Sequence, residues 1–166
     1  GWKIFKSRSI NVDNVQIVQG KTFRWGGKYN DDYSSRDTLF TDLGVFESFS
    51  PTIKEGDCDS PLVFLGNIHP DLQLEVFKTV CDPEYVVSDT MNLWIDLFPE
   101  KLTDVIKRSS IFLINHEEAE QFTGKADVVS SAQALINMGP RVVVIKMGAG
   151  GSYVSYNNKG VFVPVF

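Results

Sequence analysis

The sequence is poor in the residues that build several common kinds of site. It has only two cysteines and two histidines in 166 residues. Cys58 and Cys81 are far apart and form no CxxC or zinc-type spacing, so we interpret them as reduced thiols in a cytoplasmic protein. His69 and His116 have no partner ligands nearby in the sequence, so we expect no metal site on them. No Ser-His-Asp constellation, Walker lysine loop or dinucleotide fingerprint occurs.

Positive charge and long apolar runs are also scarce. The net charge is −5 and the pI is about 5.0, which argues against a general nucleic-acid binder. No apolar run approaches the length of a membrane span, and no signal peptide is visible. Apolar residues make up 43% and charged residues 22%, the balance of an ordinary globular domain. We therefore expect neither a nucleic acid nor a membrane as a partner.

One stretch combines a β-branched run with a glycine-rich turn. Residues 142–145 predict a strand buried on both faces, as in a parallel sheet. Gly148, Gly150 and Gly151 follow it, where the loop would lie at the carboxyl end of the sheet. Glycines there let a backbone approach a phosphate closely. A tight turn with nothing bound explains the same pattern.

A second strand runs directly into a capped helix. Residues 110–114 are apolar, Asn115 is a good N-cap, and Glu118 occupies the acid position of a capping box. Gly124 predicts the end of the helix. Asn115 and Glu118 either serve only as this cap or also face the same site as the glycine turn.

Strand and helix patterns alternate along most of the chain. Strands are predicted at 61–65, 85–87, 111–114 and 142–145, and helices at 71–80, 99–107, 117–122 and 128–138. A hairpin is predicted from 152–156 to 161–163 across Asn157 and Asn158. This alternation predicts parallel strands joined by right-handed crossovers.

The N-terminal part has a different pattern. Residues 15–18 and 21–25 predict a hairpin, Gly26 and Gly27 predict its end, and residues 36–41 resume an extended pattern. The aromatic residues Phe23, Trp25 and Tyr29 could stack on a sugar ring or pack against a second subunit, although simple packing is commoner.

Several motifs, taken in order, resemble the ribokinase-like (PfkB) carbohydrate kinases. These are Asn115-x-x-Glu118, Thr123-Gly124, Ile145-Lys146-x-Gly148-x-x-Gly151, and the stretches 64–70 and 88–94. The resemblance implies an α/β fold with a three-layer core, a mostly parallel sheet and a small β-strand lid. It further implies a remnant of the N-terminal core at 1–14, the lid at 15–50 and a nucleotide-binding α/β core at 51–166.

Two regions of the family have no counterpart in this sequence. One is the N-terminal region with a substrate-binding Asp and a Gly-Gly segment, and the other is the C-terminal Asp-Thr-x-Gly-Ala-Gly-Asp signature. That signature carries the catalytic base, which we therefore expect beyond Phe166, with no catalytic residue in this chain. The family's lid often makes a dimer contact, so we expect a homodimer through residues 15–50; an added sheet without a ligand role is the alternative.

The resemblance also implies roles for individual residues, with ATP and Mg²⁺ as cofactors. The residues expected to bind the nucleotide are Asn115, Glu118, Lys146, Gly148 and Gly151. Glu118 would hold Mg²⁺ through water, because Mg²⁺ keeps much of its hydration shell. The family often has Thr or Ser where this chain has Lys146. The residues expected on the substrate side are Asn67, Asp89 and Asn92, although an Asx-turn explains Asp89 and Asn92 equally well.

The implied activity is ATP-dependent phosphoryl transfer to a hydroxyl of a sugar or related small molecule. A nucleoside kinase and a non-catalytic binding or dimerisation module are the alternatives. A Rossmann-type nucleotide-binding protein is disfavoured because the fingerprint is missing.

Overall fold

The computed structural model describes residues 1–29, 31, 36–157 and 159–165. The chain divides into two compact units, Gly1–Thr52 and Ile53–Phe166. Among the described helices, none has both the length and the apolar character needed to cross a bilayer.

The N-terminal unit is built on one antiparallel strand pair. Helix α1 spans Trp2–Ser7, strands β1 (Arg24–Tyr29) and β2 (Arg36–Asp42) pair with each other, and a 3₁₀ helix spans Gly44–Ser48. The strand predicted at 15–18 is wrong. Val15 N–H donates to Val12 O, and Gln16 Nε2 donates to Ser50 O, so this segment is held by local and side-chain hydrogen bonds instead of a ladder.

Gly26 and Gly27 lie inside β1, although the sequence predicted that they end a strand. The register shifts between them, which marks a β-bulge. A Cβ on Gly26 would collide with the ring of Phe40, and one on Gly27 with the ring of Trp25. The two glycines therefore make room for aromatic rings that lie across the strand pair, a use of glycine that local sequence reasoning could not anticipate.

The C-terminal unit contains a six-stranded sheet in sequential order. Its strands are β3 (Leu62–Leu65), β4 (Tyr85–Asp89), β5 (Ile111–Asn115), β6 (Val142–Lys146), β7 (Ser152–Tyr156) and β8 (Lys159–Val163). β3 to β6 pair in parallel, β7 pairs antiparallel with β6, and β8 pairs antiparallel with β7. The mostly parallel α/β core is confirmed. Of the turn predicted at Asn157 and Asn158, Asn158 lies outside the described residues.

Helices connect the parallel strands. They are α2 (Pro70–Thr79), α3 (Asn92–Leu97), α4 (Pro99–Arg108), α5 (His116–Thr123) and α6 (Val128–Ile136). All were predicted within one or two residues at each end except α3, which was missed. Its six residues are too few to show a helical period, and they follow β4 after only two residues.

The hydrophobic core lies between the sheet and these helices. Phe112, Ile114, Val143 and Ile145 point from the sheet into it and are fully buried, as are Leu102, Ile106, Ala132 and Leu135 on the helices. The opposite sheet face is only partly covered. Val142 and Val144 are half-buried, and Phe64 is 62% exposed. The prediction that residues 142–145 are buried on both faces is therefore wrong for the described chain, because its helices pack on one face.

Candidate functional site at the carboxyl edge of the sheet

Three polar residues lie where the central parallel strands end. Asp89, Asn115 and Lys146 are the last residues of β4, β5 and β6. Asn115 pairs with Lys146, and Asp89 pairs with Leu113 two residues earlier in β5, so all three side chains leave the same face of the sheet. Lys146 Nζ lies 3.0 Å from Asp89 Oδ1. The sheet thus brings together residues that are 57 positions apart in the chain.

The Asn115–Glu118 corner has the full geometry of a capping box. Asn115 Oδ1 accepts from Glu118 N–H at 2.8 Å, and Glu118 Oε2 accepts from Asn115 N–H at 3.0 Å. Glu118 is only 6% exposed, so its carboxylate is fixed beside the last residue of β5. The structure confirms the predicted cap and the predicted stop at Gly124, which has a φ of 68°. A helix cap alone does not require a buried acid, because water can satisfy the backbone N–H groups at an exposed helix end equally well.

The glycine turn after β6 is closed by its own backbone. Met147 N–H donates to Gly151 O at 2.8 Å, and Gly151 N–H donates to Gly148 O at 3.0 Å. The two predicted glycines serve different purposes. A Cβ on Gly151 would collide with Val163 O, so this glycine allows β8 to pass closely, whereas a Cβ on Gly148 would meet nothing within 4 Å. The open space next to the backbone is therefore at Gly148.

The residues expected on the substrate side lie around the ends of β3 and β4. Asn67 is exposed, and its Oδ1 accepts from Trp94 Nε1 at 2.8 Å. Asp89 Oδ1 accepts from Thr90 N–H as well as from Lys146, and Asn92 is the exposed first residue of α3. Asp89 therefore faces Lys146, which was expected on the nucleotide side, while Asn67 accepts a hydrogen bond from a tryptophan of α3.

Gln73 is a site-supporting residue that the sequence analysis missed. It is 2% exposed, and its Nε2 lies within 3.0 Å of Gly66 O and Asp89 O and 3.3 Å of Leu65 O. One buried amide thus fastens the ends of β3 and β4 to each other. The available signal was a glutamine at helical spacing from Val76 and Val80, on the apolar side of a predicted helix.

Among the described residues, neither histidine belongs to a group of three metal-type ligands. His69 caps α2, with Nδ1 accepting from Asp71 N–H at 3.1 Å, and its ring centre lies 4.3 Å from that of Phe98. His116 is exposed at the start of α5. Within the described ranges, the one group of three metal-type ligands is Cys58, Asp59 and Cys81, which lies in a different part of the unit.

The predicted lid segment contains an aromatic-lined cavity of its own. Its volume is about 260 Å³, and its lining includes Phe23, Val45, Phe46 and Phe49. Phe23 meets Phe46 edge-on at 5.8 Å between ring centres, so it packs within the unit. Trp25 Nε1 donates to Thr38 Oγ1 across the strand pair. The aromatic residues are therefore used at least partly for packing.

Most of the C-terminal unit, including the carboxyl edge of the sheet from β4 to β6, matches a known protein family. The pfkB family of carbohydrate kinases matches residues 77–166, which include β4, α5, β6 and the glycine turn. The chain belongs to this family. The resemblance drawn from the sequence is thereby confirmed.

Two kinds of relative agree with this assignment. A cytidine kinase of Thermococcus kodakarensis is 26% identical over 156 residues, covering 92% of this chain and 55% of the relative. A nucleoside kinase of Methanocaldococcus jannaschii, described as an archaeal member of the ribokinase family, has a TM-score of 0.71 at 15% identity, covering 98% of this chain and 53% of that one. A ribokinase of Thermotoga maritima has a TM-score of 0.64 at 14% identity, with coverage of 99% and 55%. The chain thus spans about half the length of the relatives it matches.

Proposed function

We propose that the protein takes part in ATP-dependent transfer of the γ-phosphate to a hydroxyl of a sugar or nucleoside. The observation that supports this most directly is the carboxyl edge of the sheet. There β6 ends in a lysine and is followed by a glycine turn with open space at Gly148, and a buried glutamate lies in the first turn of the helix after the neighbouring strand β5. Phosphoryl transfer depends mainly on positioning and on neutralising charge, and these residue types supply both.

Lys146 and the glycine turn are proposed to hold the phosphates of ATP. The side chain of Lys146 is 47% exposed, so its ammonium remains accessible to an anion, while the ion pair with Asp89 fixes the direction of the side chain. The open space at Gly148 lies two residues further on. A phosphate there would meet a cation and a backbone with no Cβ in the way. Gly151, assigned to the same role from the sequence, is proposed to act indirectly by shaping the turn.

Glu118 is proposed to hold the waters of Mg²⁺, with Asn115 fixing the corner. The donor chemistry fits, because Mg²⁺ prefers carboxylate oxygens and keeps several waters. The burial of Glu118 also fits, since a charge of this kind is fixed in position before the ligand arrives. When bound, Mg²⁺ neutralises charge on the transferring phosphate. The chain's own contribution is a rigid carboxylate held by a backbone N–H.

The acceptor is proposed to lie toward Asn67, Asp89 and Asn92, at the ends of β3 and β4. The cytidine kinase relative supports including nucleosides among the candidates. The resemblance assigns the base for the acceptor hydroxyl to the Gly-Ala-Gly-Asp signature, which this sequence lacks. None of the residues above is therefore proposed for that role.

The test is ATP turnover by the full-length protein with a panel of sugars and nucleosides. We expect ADP to form only when an acceptor is present, and the phosphorylated product to be identified by mass spectrometry. ATP binding in calorimetry without turnover on any acceptor would favour the non-catalytic binding module. Absence of ATP binding would contradict both proposals.

We further propose a homodimer through residues 15–50 and a cytoplasmic location. Leu39 on β2 is 66% exposed, and Ile17 in the segment before β1 is 78% exposed. Exposed apolar groups on and near a strand pair favour pairing with another copy. Leu39→Lys should then shift the protein from dimer to monomer in sedimentation at micromolar concentration. Val129→Lys, at a 49% exposed position of α6, is the matched control. A monomeric unmodified protein would contradict the dimer.

A further inference from the structure

The two cysteines, distant in the sequence, lie against each other in the fold. Cys58 follows a 3₁₀ turn at Glu55–Asp57 ahead of β3, and Cys81 lies just after α2. Cys81 N–H donates to Cys58 O at 2.7 Å, and the two sulfurs are 3.1 Å apart. Both are free thiols. The contact forms because α2 runs back toward the segment before β3. The spacing of the two cysteines in the sequence does not reveal it.

The backbone geometry is compatible with a bond between these sulfurs. A disulfide has a sulfur–sulfur distance of about 2.05 Å and joins main chains whose Cα atoms are about 4.4–6.8 Å apart. A direct N–H···O=C hydrogen bond keeps the two main chains close. Closing the last ångström therefore requires side-chain rotation and no rearrangement of the fold.

We propose that Cys58 and Cys81 form a reversible disulfide by exchange with a small-molecule disulfide such as oxidised glutathione. In the first step the Cys81 thiolate attacks one sulfur of the small disulfide. That disulfide bond breaks, a mixed disulfide forms on Cys81, and one glutathione thiolate leaves. Cys58 then attacks Sγ of Cys81 and releases the second glutathione. The protein loses two electrons and two protons, and the small disulfide gains the electrons and becomes two thiols.

The order of the two steps follows from the surroundings of each sulfur. Cys81 is exposed, whereas Cys58 is partly buried. The hydrogen bond that shares a proton with the Cys81 sulfur, together with desolvation and the nearby Asp59 carboxylate, raises the pKa of the Cys58 thiol to about 11. Cys58 is therefore a poor first nucleophile. Once Cys81 is in the mixed disulfide its sulfur no longer shares a proton with Cys58, so the largest cause of the raised pKa is removed and Cys58 can complete the exchange.

The bond would tie the segment that enters β3 to the loop that leaves α2. A cross-link across this loop restricts the unfolded chain more than the folded one. Asp59 lies beside the pair, and its carboxylate and the two sulfurs are all within 4.8 Å of one another. A soft divalent cation such as Zn²⁺ is therefore the competing occupant, and the test must separate the two outcomes.

The experiment is incubation of the full-length protein with oxidised glutathione in the presence of a chelator, followed by quenching with an alkylating reagent. We expect non-reducing mass spectrometry to show one intramolecular peptide cross-link between Cys58 and Cys81, reversed by dithiothreitol. The melting temperature of the oxidised form should rise by about 5–10 °C. This readout uses the unmodified protein, so it does not depend on any variant folding.

Two variants test the order of attack. Cys58→Ser should accumulate one glutathione adduct on Cys81, and Cys81→Ser should react severalfold more slowly, because its remaining sulfur is partly buried whereas Cys81 is exposed. Glutathione adducts on both cysteines of the unmodified protein without a cross-link would overturn the proposal. So would cross-links only between two copies of the chain, or stoichiometric Zn²⁺ binding with no cross-link after the metal is chelated.

Discussion

Lys146 and Asp89 form an ion pair that contributes little to stability. Their side chains are 47% and 24% exposed, and pairs of this kind typically stabilise a protein by less than about 1 kcal/mol. The position of the pair, at the carboxyl edge next to Asn115, is consistent with the role in holding a phosphate that we propose.

We predict that Lys146→Ala weakens ATP binding about tenfold, or about 1.4 kcal/mol, in calorimetry. The reason is the loss of a directed cation beside the phosphates. Lys107→Ala is the matched control, because Lys107 also pairs with an aspartate, Asp104, but lies on α4. Equal ATP affinity in the two variants would contradict a role of Lys146 in holding the phosphates.

Asp127 is a helix cap whose contribution should depend on pH. It accepts from Ser130 N–H at 2.8 Å at the start of α6, and the hydrogen bonds from Ser130 lower the pKa of its carboxyl. Because folding lowers this pKa, the stabilisation is present above the carboxyl's ordinary pKa and is lost as the pH falls through the lowered value.

We predict that Asp127→Ala lowers the melting temperature by about 2–4 °C at pH 7 and that this difference shrinks in acid. Asp127→Asn should keep most of the cap without the pH dependence, because the amide oxygen also accepts from Ser130. A difference between the aspartate and alanine proteins that is constant from pH 7 to pH 3 would contradict the assignment.

At the scale of elements, the glycine turn combines a left-handed backbone with open space. Gly148 has a φ of 54°, and nothing lies within 4 Å of a Cβ built there. Gly124, at the end of α5, has a φ of 68° and equally open space. A side chain is strained by about 1–2 kcal/mol at either position, so the two sites form a matched pair for stability.

We predict that Gly148→Val weakens ATP binding at least tenfold, because the side chain fills phosphate space, whereas Gly124→Val leaves the affinity unchanged. Calorimetry on both folded variants makes the comparison. If both variants lose stability alike and bind ATP like the unmodified protein, the nucleotide does not lie along this turn.

The elements that the sequence predicted well are those whose signals are local. The β-branched run of β6 and the capping box of α5 each lie within a few consecutive residues. The failures involve partners far along the chain. Gly26 pairs with Phe40 in the β1–β2 ladder, and a glycine is needed there because the ring of Phe40 lies against it. Residues 15–18 are not in a strand because their hydrogen bonds go elsewhere.

The sequence predicted most residues of the candidate site but not the contacts that join them to distant parts of the chain. The three-residue spacing of Asn115 and Glu118 is enough to predict the hydrogen bonds between them. The pairing of Lys146 with Asp89, the clamp made by Gln73 and the contact between Cys58 and Cys81 depend on how the sheet and helices assemble. Such contacts have no signature in a single sequence, because any solvent-exposed lysine or buried glutamine gives the same local pattern.

At the scale of the whole molecule, the sheet is covered by helices on one face in the described chain. Buried Phe112 and Ile145 lie on that face, while Leu62 and Phe64 on the other are 59% and 62% exposed. Parallel sheets are ordinarily covered on both faces. Activity should therefore be measured on the full-length protein.

The proposed chemistry depends most on Glu118. As a cap alone, Glu118→Gln should be nearly silent, because glutamine also completes a capping box. As a holder of the waters around Mg²⁺, the carboxylate cannot be replaced by a neutral amide without weakening the metal's hold on the phosphates. Glu117→Gln, one residue earlier on the same turn and exposed, is the matched control.

The decisive measurement is acceptor-dependent ATP turnover of full-length Glu118→Gln as a function of Mg²⁺ concentration. We predict a rate about 10- to 1000-fold lower, which corresponds to roughly 1.4–4 kcal/mol, with partial recovery at high Mg²⁺. Glu117→Gln should behave like the unmodified protein. A normal rate and a normal Mg²⁺ dependence for Glu118→Gln would reduce this corner to a helix cap and contradict the proposed phosphoryl-transfer site.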